Sequence, residues 1–386
     1  MKKAEQGLRQ PAEFPYKEGK REMGKRSDFH IAVLAGDGIG HEIMEACLEV
    51  LRHLERRSGG FHLDMEPLLG GAEHYRQTGI DITDEAFEKA RRADAILFGA
   101  MGLPDVRFPD GTEIAPHLKM RVEFDLFAGV RPVKAYPNVP SPLADPRAAN
   151  IDLIILRECT EGLFASRGKG EVIDDREAWE TLVMTRSNCE RFIDFGFKLA
   201  RQRKEKGGKG MVTCVDKSNV FRAYAFFRKI FKERAELFPD ILPQYHYVDA
   251  MALNLVRKPW EFDVLVAENM FADILSDLGG GIIGGMGMAP CAEIGENHGL
   301  FQPSHGSAPD IAGTGRANPT AMFLSAAMML EWLGNRHERP ALVDAARKLE
   351  AVIEEGFSAG EIRPMEFGGP HGLKEVTEAV IQRIHR

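Results

Sequence analysis

Five apolar residues, Ile31–Ala35 (IAVLA), run straight into the turn Gly36-Asp37-Gly38-Ile39-Gly40. From His41 the apolar positions Ile43, Met44, Cys47, Leu48 and Leu51 then switch to helical spacing. A short apolar strand, a glycine turn and a helix in that order restrict the chain to an α/β architecture. The glycine spacing is GxGxG, one residue short of the dinucleotide fingerprint GxGxxG, so the turn is not that motif and the fold is not a GxGxxG Rossmann fold.

The same alternation continues along the chain. A helix is predicted over Asp84–Arg92 and a buried strand over Ala95–Phe98. Glu123–Phe127 reads as helical and Val130–Val133 as extended. Ile151–Leu156 (IDLIIL) is a strand ending on Arg157, Phe192–Lys204 is an amphipathic helix, and Lys206–Gly210 is a surface turn. Met211–Val215 (MVTCV) is a strand ending on Asp216 and Lys217. Asn318 and Pro319 supply an N-cap and a first-turn proline for a helix running to Gly334. In open α/β sheets ligands lie at the carboxyl ends of strands, which gives Arg157, Lys217 and Glu268 a natural meeting place.

At 386 residues two domains are expected. A net charge of −8 disfavours nucleic acid as partner but leaves room for anionic substrates at a local basic cluster. The five cysteines form no CxxC, which suits reduced thiols and a cytoplasmic location. No apolar run approaches the roughly 18–20 residues of a membrane span, so no membrane partner is expected. Residues 1–27 are polar with mixed charge and are expected to form a flexible extension.

In Phe262–Gly281 (FDVLVAENMFADILSDLGGG) a buried strand, Val264–Ala267, leads through a polar turn at Glu268 and Asn269 into a helix. Asp273 and Asp277 stand four residues apart on one helix face, where like charges cost roughly 0.2–0.5 kcal/mol. Two hard oxygen ligands beside a strand end suit Mg²⁺ or Mn²⁺. The GGG that follows is expected to be flexible. Arg121, Arg131 and Arg157 supply guanidinium forks, which bind carboxylates through paired hydrogen bonds, so a dicarboxylate substrate is expected.

From about Phe29 to the C-terminus the chain resembles the β-decarboxylating dehydrogenases, the family of isopropylmalate, isocitrate, homoisocitrate, tartrate and D-malate dehydrogenases. The matching blocks are GDGIG (36–40), Arg121 with DLFAGVRP (125–132), LRECTEG (156–162), VDKSNV (215–220), YVDAMA (247–252), AENMFADILSD (267–277) and HGSAPDIAGTGRANP (305–319). The resemblance implies a two-domain isopropylmalate/isocitrate dehydrogenase-like fold. Residues 28–126 and 284–386 would form a discontinuous nucleotide-binding domain. Residues 127–283 would form a substrate and dimerisation domain, with an arm at about 162–185.

It also implies roles. Arg121, Arg131 and Arg157 would hold the substrate carboxylates. Asp273 and Asp277 would bind Mg²⁺ or Mn²⁺ together with Asp249 of the partner in a homodimer. Lys217, also from the partner, would be the base, a role that requires neighbouring positive charge to depress its pKa. Hydride would pass from C2 to nicotinamide, and CO₂ loss would leave an enolate to be protonated. NAD is the implied cofactor: Asp310 accepts both adenosine ribose hydroxyls, and NADP-preferring relatives carry Lys and Tyr at positions 310 and 311. His305, Gly306, Ser307, Ala308 and Asn318 would frame the adenosine half with Ile39 nearby, and Asn219 would lie near the nicotinamide.

Two departures stand out. Phe164 occupies the position where the family has the tyrosine associated with enolate protonation, so water or another group such as Ser166 would substitute, or decarboxylation would be slow or absent. Ile114, Ala115, His117 and Leu118 match neither the isopropylmalate pattern nor the isocitrate one. A malate-type 2-hydroxy diacid, namely D-malate, tartrate or a 3-substituted malate, is the expected substrate. 3-Isopropylmalate is the alternative, and a noncatalytic regulatory role is a third reading.

Overall fold

The computed structural model describes residues 26–386. Of the expected extension over residues 1–27, all but Arg26 and Ser27 lies outside the described residues. Strand β1 (Asp28–Gly36) passes through the glycine turn into α1 (Ile39–Ser58), and β2 (His62–Leu68) lies parallel beside it. Helices α2 (Ala72–Thr78) and α3 (Asp84–Arg92) precede β3 (Ala95–Ala100). Helix α4 (Pro116–Glu123) then leads to the antiparallel pair β4 (Ala128–Lys134) and β5 (Asp152–Glu158). An exposed two-stranded ribbon follows, β6 (Glu171–Ile173) and β7 (Glu177–Trp179).

The middle of the chain alternates α5 (Arg186–Glu205), β8 (Met211–Asp216), α6 (Arg222–Ala235), β9 (Leu242–Tyr247), α7 (Val248–Arg257), β10 (Val264–Ala267) and α8 (Asn269–Ile282). It closes with β11 (Pro290–Ile294), β12 (Gly299–Pro303), α9 (Thr320–Arg336), α10 (Pro340–Ser358) and α11 (Leu373–His385). One ten-stranded sheet runs through the molecule in the order β2-β1-β3-β12-β11-β4-β5-β10-β8-β9. Every residue of β3, β8 and β10 is buried, as expected of strands covered on both faces. Helices α1, α9, α10 and α11 pack together around β1, β3, β11 and β12, whereas α5 and α6 lie on β8 and α8 lies on β4 and β5.

The GDGIG turn is built for close approach. Gly36 and Gly38 have φ of 84° and 55°, and a Cβ there would stand 1.9 Å from the Ala100 carbonyl oxygen and 2.2 Å from that of Ser307. The Asp37 carboxylate, fully buried, accepts N–H bonds from Ala72, Glu73 and Gly102 at 2.7–2.9 Å. This turn therefore ties β1 to the 305–308 segment, and it does so by packing and hydrogen bonding.

Three sequence expectations need correction. The helix placed at Glu123–Phe127 lies earlier, at Pro116–Glu123, with Pro116 in its first turn, and Asp125 then turns the chain at φ 51°. The glycines 279–281 are not a flexible turn. They continue α8, and a Cβ on Gly279 or Gly280 would stand 2.6 Å from Val133 or 2.8 Å from the Met286 sulfur, so they let the helix approach its neighbours. The turn comes at Gly284 and Gly285, with φ of 119° and 143°. Finally, α9 begins at Thr320 with Pro319 before it. Pro319, not Asn318, is therefore the cap residue, and Asn318 stands one position earlier, its Oδ1 accepting from the Thr320 N–H at 3.2 Å.

Candidate active site

Strands β4 and β5 and helix α8 bring Arg131, Arg157, Asp273 and Asp277 together. Arg157, second-last on β5, donates Nε and Nη2 to Asn269 Oδ1 at 3.1 and 2.7 Å and forms an ion pair with Asp273 through Nη1. Arg131 donates Nη1 to Ser276 Oγ at 2.9 Å, with its other amino nitrogen 3.4 Å from Asp273, while its Nε is buried without a protein partner. Both arginines are buried, at 6 % and 3 % exposure, but the side chains of Asp273 and Asp277 are 47 % and 64 % exposed. The wall is cationic and the acids open onto solvent. Burial and crowding by Arg121 and Arg131 press the Arg157 pKa down, a strain that a bound anion relieves. Burial and the neighbouring Asp273 push the Asp277 carboxyl up, a strain that a cation relieves.

Arg121 is held differently. It donates Nε to Glu293 Oε2 at 2.8 Å and Nη2 to Glu293 Oε1, so two of its three guanidinium nitrogens are committed to the protein. Gln302 donates to the same carboxylate at 3.0 Å. Glu293 was not among the sequence candidates, and neither were Asn269, Gln302 or Ser276.

Lys217 and Asp249 pair with each other at 2.7 Å, and the Lys217 ammonium holds the Asp249 carboxyl below its ordinary value. Asp249 is 67 % exposed at the start of α7. Among the described residues of a single chain no three carboxylate, histidine or cysteine groups are close enough to hold a metal ion. The single chain therefore offers Asp273 and Asp277 as two hard ligands on one helix face. Asp249 does not join them within it. The donor chemistry of the two carboxylates fits a divalent cation.

Phe164 lies beside the cationic wall, its ring 5.6 Å from the Arg157 guanidinium carbon. Ser166, considered as a substitute donor, is buried, with its Oγ 3.0 Å from the Leu163 carbonyl oxygen and 3.1 Å from Glu180. Its hydroxyl is used inside the turn. Ile114 is fully buried in a satellite cluster with Ala72, Leu103 and Val106, so it serves packing. His117 and Leu118 lie in the first turn of α4, the helix that carries Arg121, and both are partly exposed. Burial, with the Arg121 charge beside it, holds the His117 pKa down to about 3, so the imidazole is neutral. Its Nδ1 has no protein partner.

A second cleft collects most of the cofactor candidates. Ile39, His305, Gly306, Ala308 and Asn318 line it with Arg316, Met365 and Glu366. Ser307 is turned inward, its hydroxyl donating to the Gly102 carbonyl and its own carbonyl accepting from Ile39 N–H at 2.8 Å, so it shapes the cleft without lining it. Asp310 is exposed next to the lining residue Ile311. Asn219 is exposed on the turn after β8 and outside this lining.

The isocitrate/isopropylmalate dehydrogenase family matches residues 30–380. A 3-isopropylmalate/3-methylmalate dehydrogenase of Methanocaldococcus jannaschii is 41% identical over 92% of this chain and 98% of its own length. A probable tartrate dehydrogenase/decarboxylase of Agrobacterium vitis is 37% identical over 92% and 98% of the two chains. The crystal structure of isocitrate dehydrogenase from Methylococcus capsulatus superposes with a TM-score of 0.80 at 33% identity, covering 93% of this chain and 100% of that one. Members of the family generally use NAD(P) and a divalent metal. With sequence and fold matched over nearly the whole described chain, the protein belongs to the isocitrate/isopropylmalate dehydrogenase family and is an oxidative, decarboxylating dehydrogenase.

Proposed function

We propose that the protein oxidises a malate-type 2-hydroxy dicarboxylate with NAD and Mg²⁺ or Mn²⁺, losing the β-carboxylate as CO₂. The observation that carries this reading is the cationic wall of Arg131 and Arg157 directly beside the exposed Asp273 and Asp277. Guanidinium forks orient the two carboxylates, and the uncommitted Arg121 nitrogen adds a third donor. Asp273 and Asp277 would hold the divalent cation, which would supply Lewis-acid chemistry at the substrate hydroxyl, and the bound dinucleotide would serve as hydride acceptor. Lys217 takes the hydroxyl proton. Asp310 accepts the ribose hydroxyls of NAD, and its charge repels a 2′-phosphate.

The active site is shared in a homodimer, with Lys217 and Asp249 contributed by the second copy. Val220 and Phe221 after β8, Leu253 and Val256 on α7, and Met270 and Ile274 on α8 support this, being 41–63 % exposed although large and apolar. The ribbon β6–β7, with exposed Val172, Ile173 and Trp179, suits an arm that clasps the second copy. Residues 28–126 with 284–386, and residues 127–283, form the nucleotide and substrate halves. The five cysteines are free and buried, which suits a reducing cytoplasm.

The substrate follows from the wall near Arg121. A neutral imidazole with a free ring nitrogen favours a small or polar C3 substituent over a branched apolar one. D-Malate and tartrate are therefore expected to be turned over with Mn²⁺ and NAD well ahead of 3-isopropylmalate. A panel followed by NADH absorbance and CO₂ release checks this. A clear preference for 3-isopropylmalate, the reading favoured by the name of the Methanocaldococcus relative, would replace it.

The same panel tests the consequence of Phe164. Phenylalanine donates no proton, so the enolate is expected to be quenched slowly; CO₂ then re-adds to it, undecarboxylated 2-keto diacid leaves the site, and CO₂ is expected to lag behind NADH. Phe164→Tyr should bring the two into step. If wild-type protein already releases CO₂ in step with NADH, another donor serves and Phe164 limits nothing.

A further inference from the structure

The short helical turn Met365–Phe367 carries a carboxylate into the cleft assigned above to the adenosine half of the dinucleotide. Glu366 Oε2 accepts from Asn318 Nδ2 at 2.9 Å, and Oε1 accepts from the Gly287 N–H at 3.1 Å. The seat is built for it. A Cβ at Gly287 would stand 2.2 Å from Glu366 Oε2, and one at Gly285 would stand 2.3 Å from Oε1, so only glycine at these positions leaves room for the carboxylate.

Asn318 is thereby fixed. Its Oδ1 accepts from both the N–H and the hydroxyl of Thr320, at 3.2 and 2.7 Å, while one amide N–H goes to Glu366. The other amide N–H meets only the Met288 sulfur at 3.8 Å, a weak acceptor. An amide held on every side cannot flip, so Asn318 has one orientation in the wall of the cleft.

We propose that Glu366 is a positioning residue for dinucleotide binding: it locks the Asn318 amide and the Gly287 backbone so that this wall of the cleft keeps the shape that receives the adenosine half. This rests on reading the cleft as the adenosine site. The C-terminal segment thus completes a pocket whose other walls come from the GDGIG turn and the 305–318 segment.

Calorimetric titration of the full-length protein with ADP-ribose and, separately, with nicotinamide mononucleotide tests it. Glu366→Ala is expected to weaken ADP-ribose about tenfold, the effect of releasing one buried hydrogen-bonded group. Nicotinamide mononucleotide affinity should not change. Glu366→Gln keeps one oxygen acceptor for Asn318 and should recover affinity to within about threefold of wild type. A merely structural Glu366 would lower the melting temperature of the alanine variant while leaving the ADP-ribose affinity of the folded protein intact, and that result overturns the proposal. If unaltered protein fails to bind ADP-ribose, or binds it equally well after Ala308→Trp, the assignment of the cleft falls, and the proposal falls with it.

Discussion

Asp273→Asn is expected to lower kcat/KM for the hydroxy acid by about 10³-fold or more, leaving ADP-ribose affinity unchanged. Lewis-acid stabilisation is worth several kcal/mol, and each 1.4 kcal/mol is a factor of ten. Asparagine keeps the shape and one acceptor oxygen but removes the charge that a cation needs. It also removes the carboxylate that faces both Arg157 and Arg131, leaving two buried guanidinium groups without that counter-charge. Because Asp273 is about half exposed, the fold should tolerate the change. Steady-state NADH formation over a Mn²⁺ series is the measurement, with ADP-ribose titration as the control. Partial rescue at high Mn²⁺ would locate the defect in cation affinity. Full activity at ordinary Mn²⁺ would mean that α8 does not carry the metal.

What made this site legible was local. Asp273 and Asp277 announce themselves because a four-residue interval puts both on one helix face. The strands behind them are short apolar runs, and burial of every residue in β3, β8 and β10 matches that pattern. The illegible parts were of two kinds. Glu293 sits in a five-residue strand, PCAEI, whose single charge has no sequence neighbour to explain it, and its partner Arg121 is 172 positions away. Asn269 looked like a turn residue, but as the first residue of α8 it holds both Nε and Nη2 of Arg157. The triple glycine misled for a physical reason. Glycine serves flexibility and close approach equally well, and only the positions of Val133 and Met286 tell them apart. Asp249, expected as a third carboxylate, pairs with Lys217, and contacts within a single chain do not bring it to Asp273 and Asp277.

Glu293→Ala is expected to cost about 3–5 kcal/mol of stability, the penalty for leaving a buried charge without its partner. Arg121 and Glu293 are 4 % and 0 % exposed, and Gln302 supplements the bidentate pair. Chemical denaturation at fixed protein concentration measures the loss, since subunit association also contributes to stability. The pH dependence has a definite sign. Burial alone would raise the Glu293 carboxyl, but Arg121 outweighs it and holds the pKa down to about 2, against an ordinary 4.5. A depressed carboxylate contributes stability that is complete above about pH 4.5 and is lost as pH falls toward 2. The gap between wild type and Glu293→Gln should therefore narrow across that window. A gap that stays constant there would show that the pair is not ionised as drawn. Replacing both partners, with Arg121→Met and Glu293→Leu, should recover much of the stability, because buried ion pairs are often matched by apolar residues of similar size. It should not recover substrate binding. If the stability of the pair is replaceable in this way, what Glu293 adds beyond an apolar pair is a fixed Arg121 guanidinium with one nitrogen uncommitted, as the proposed carboxylate site requires.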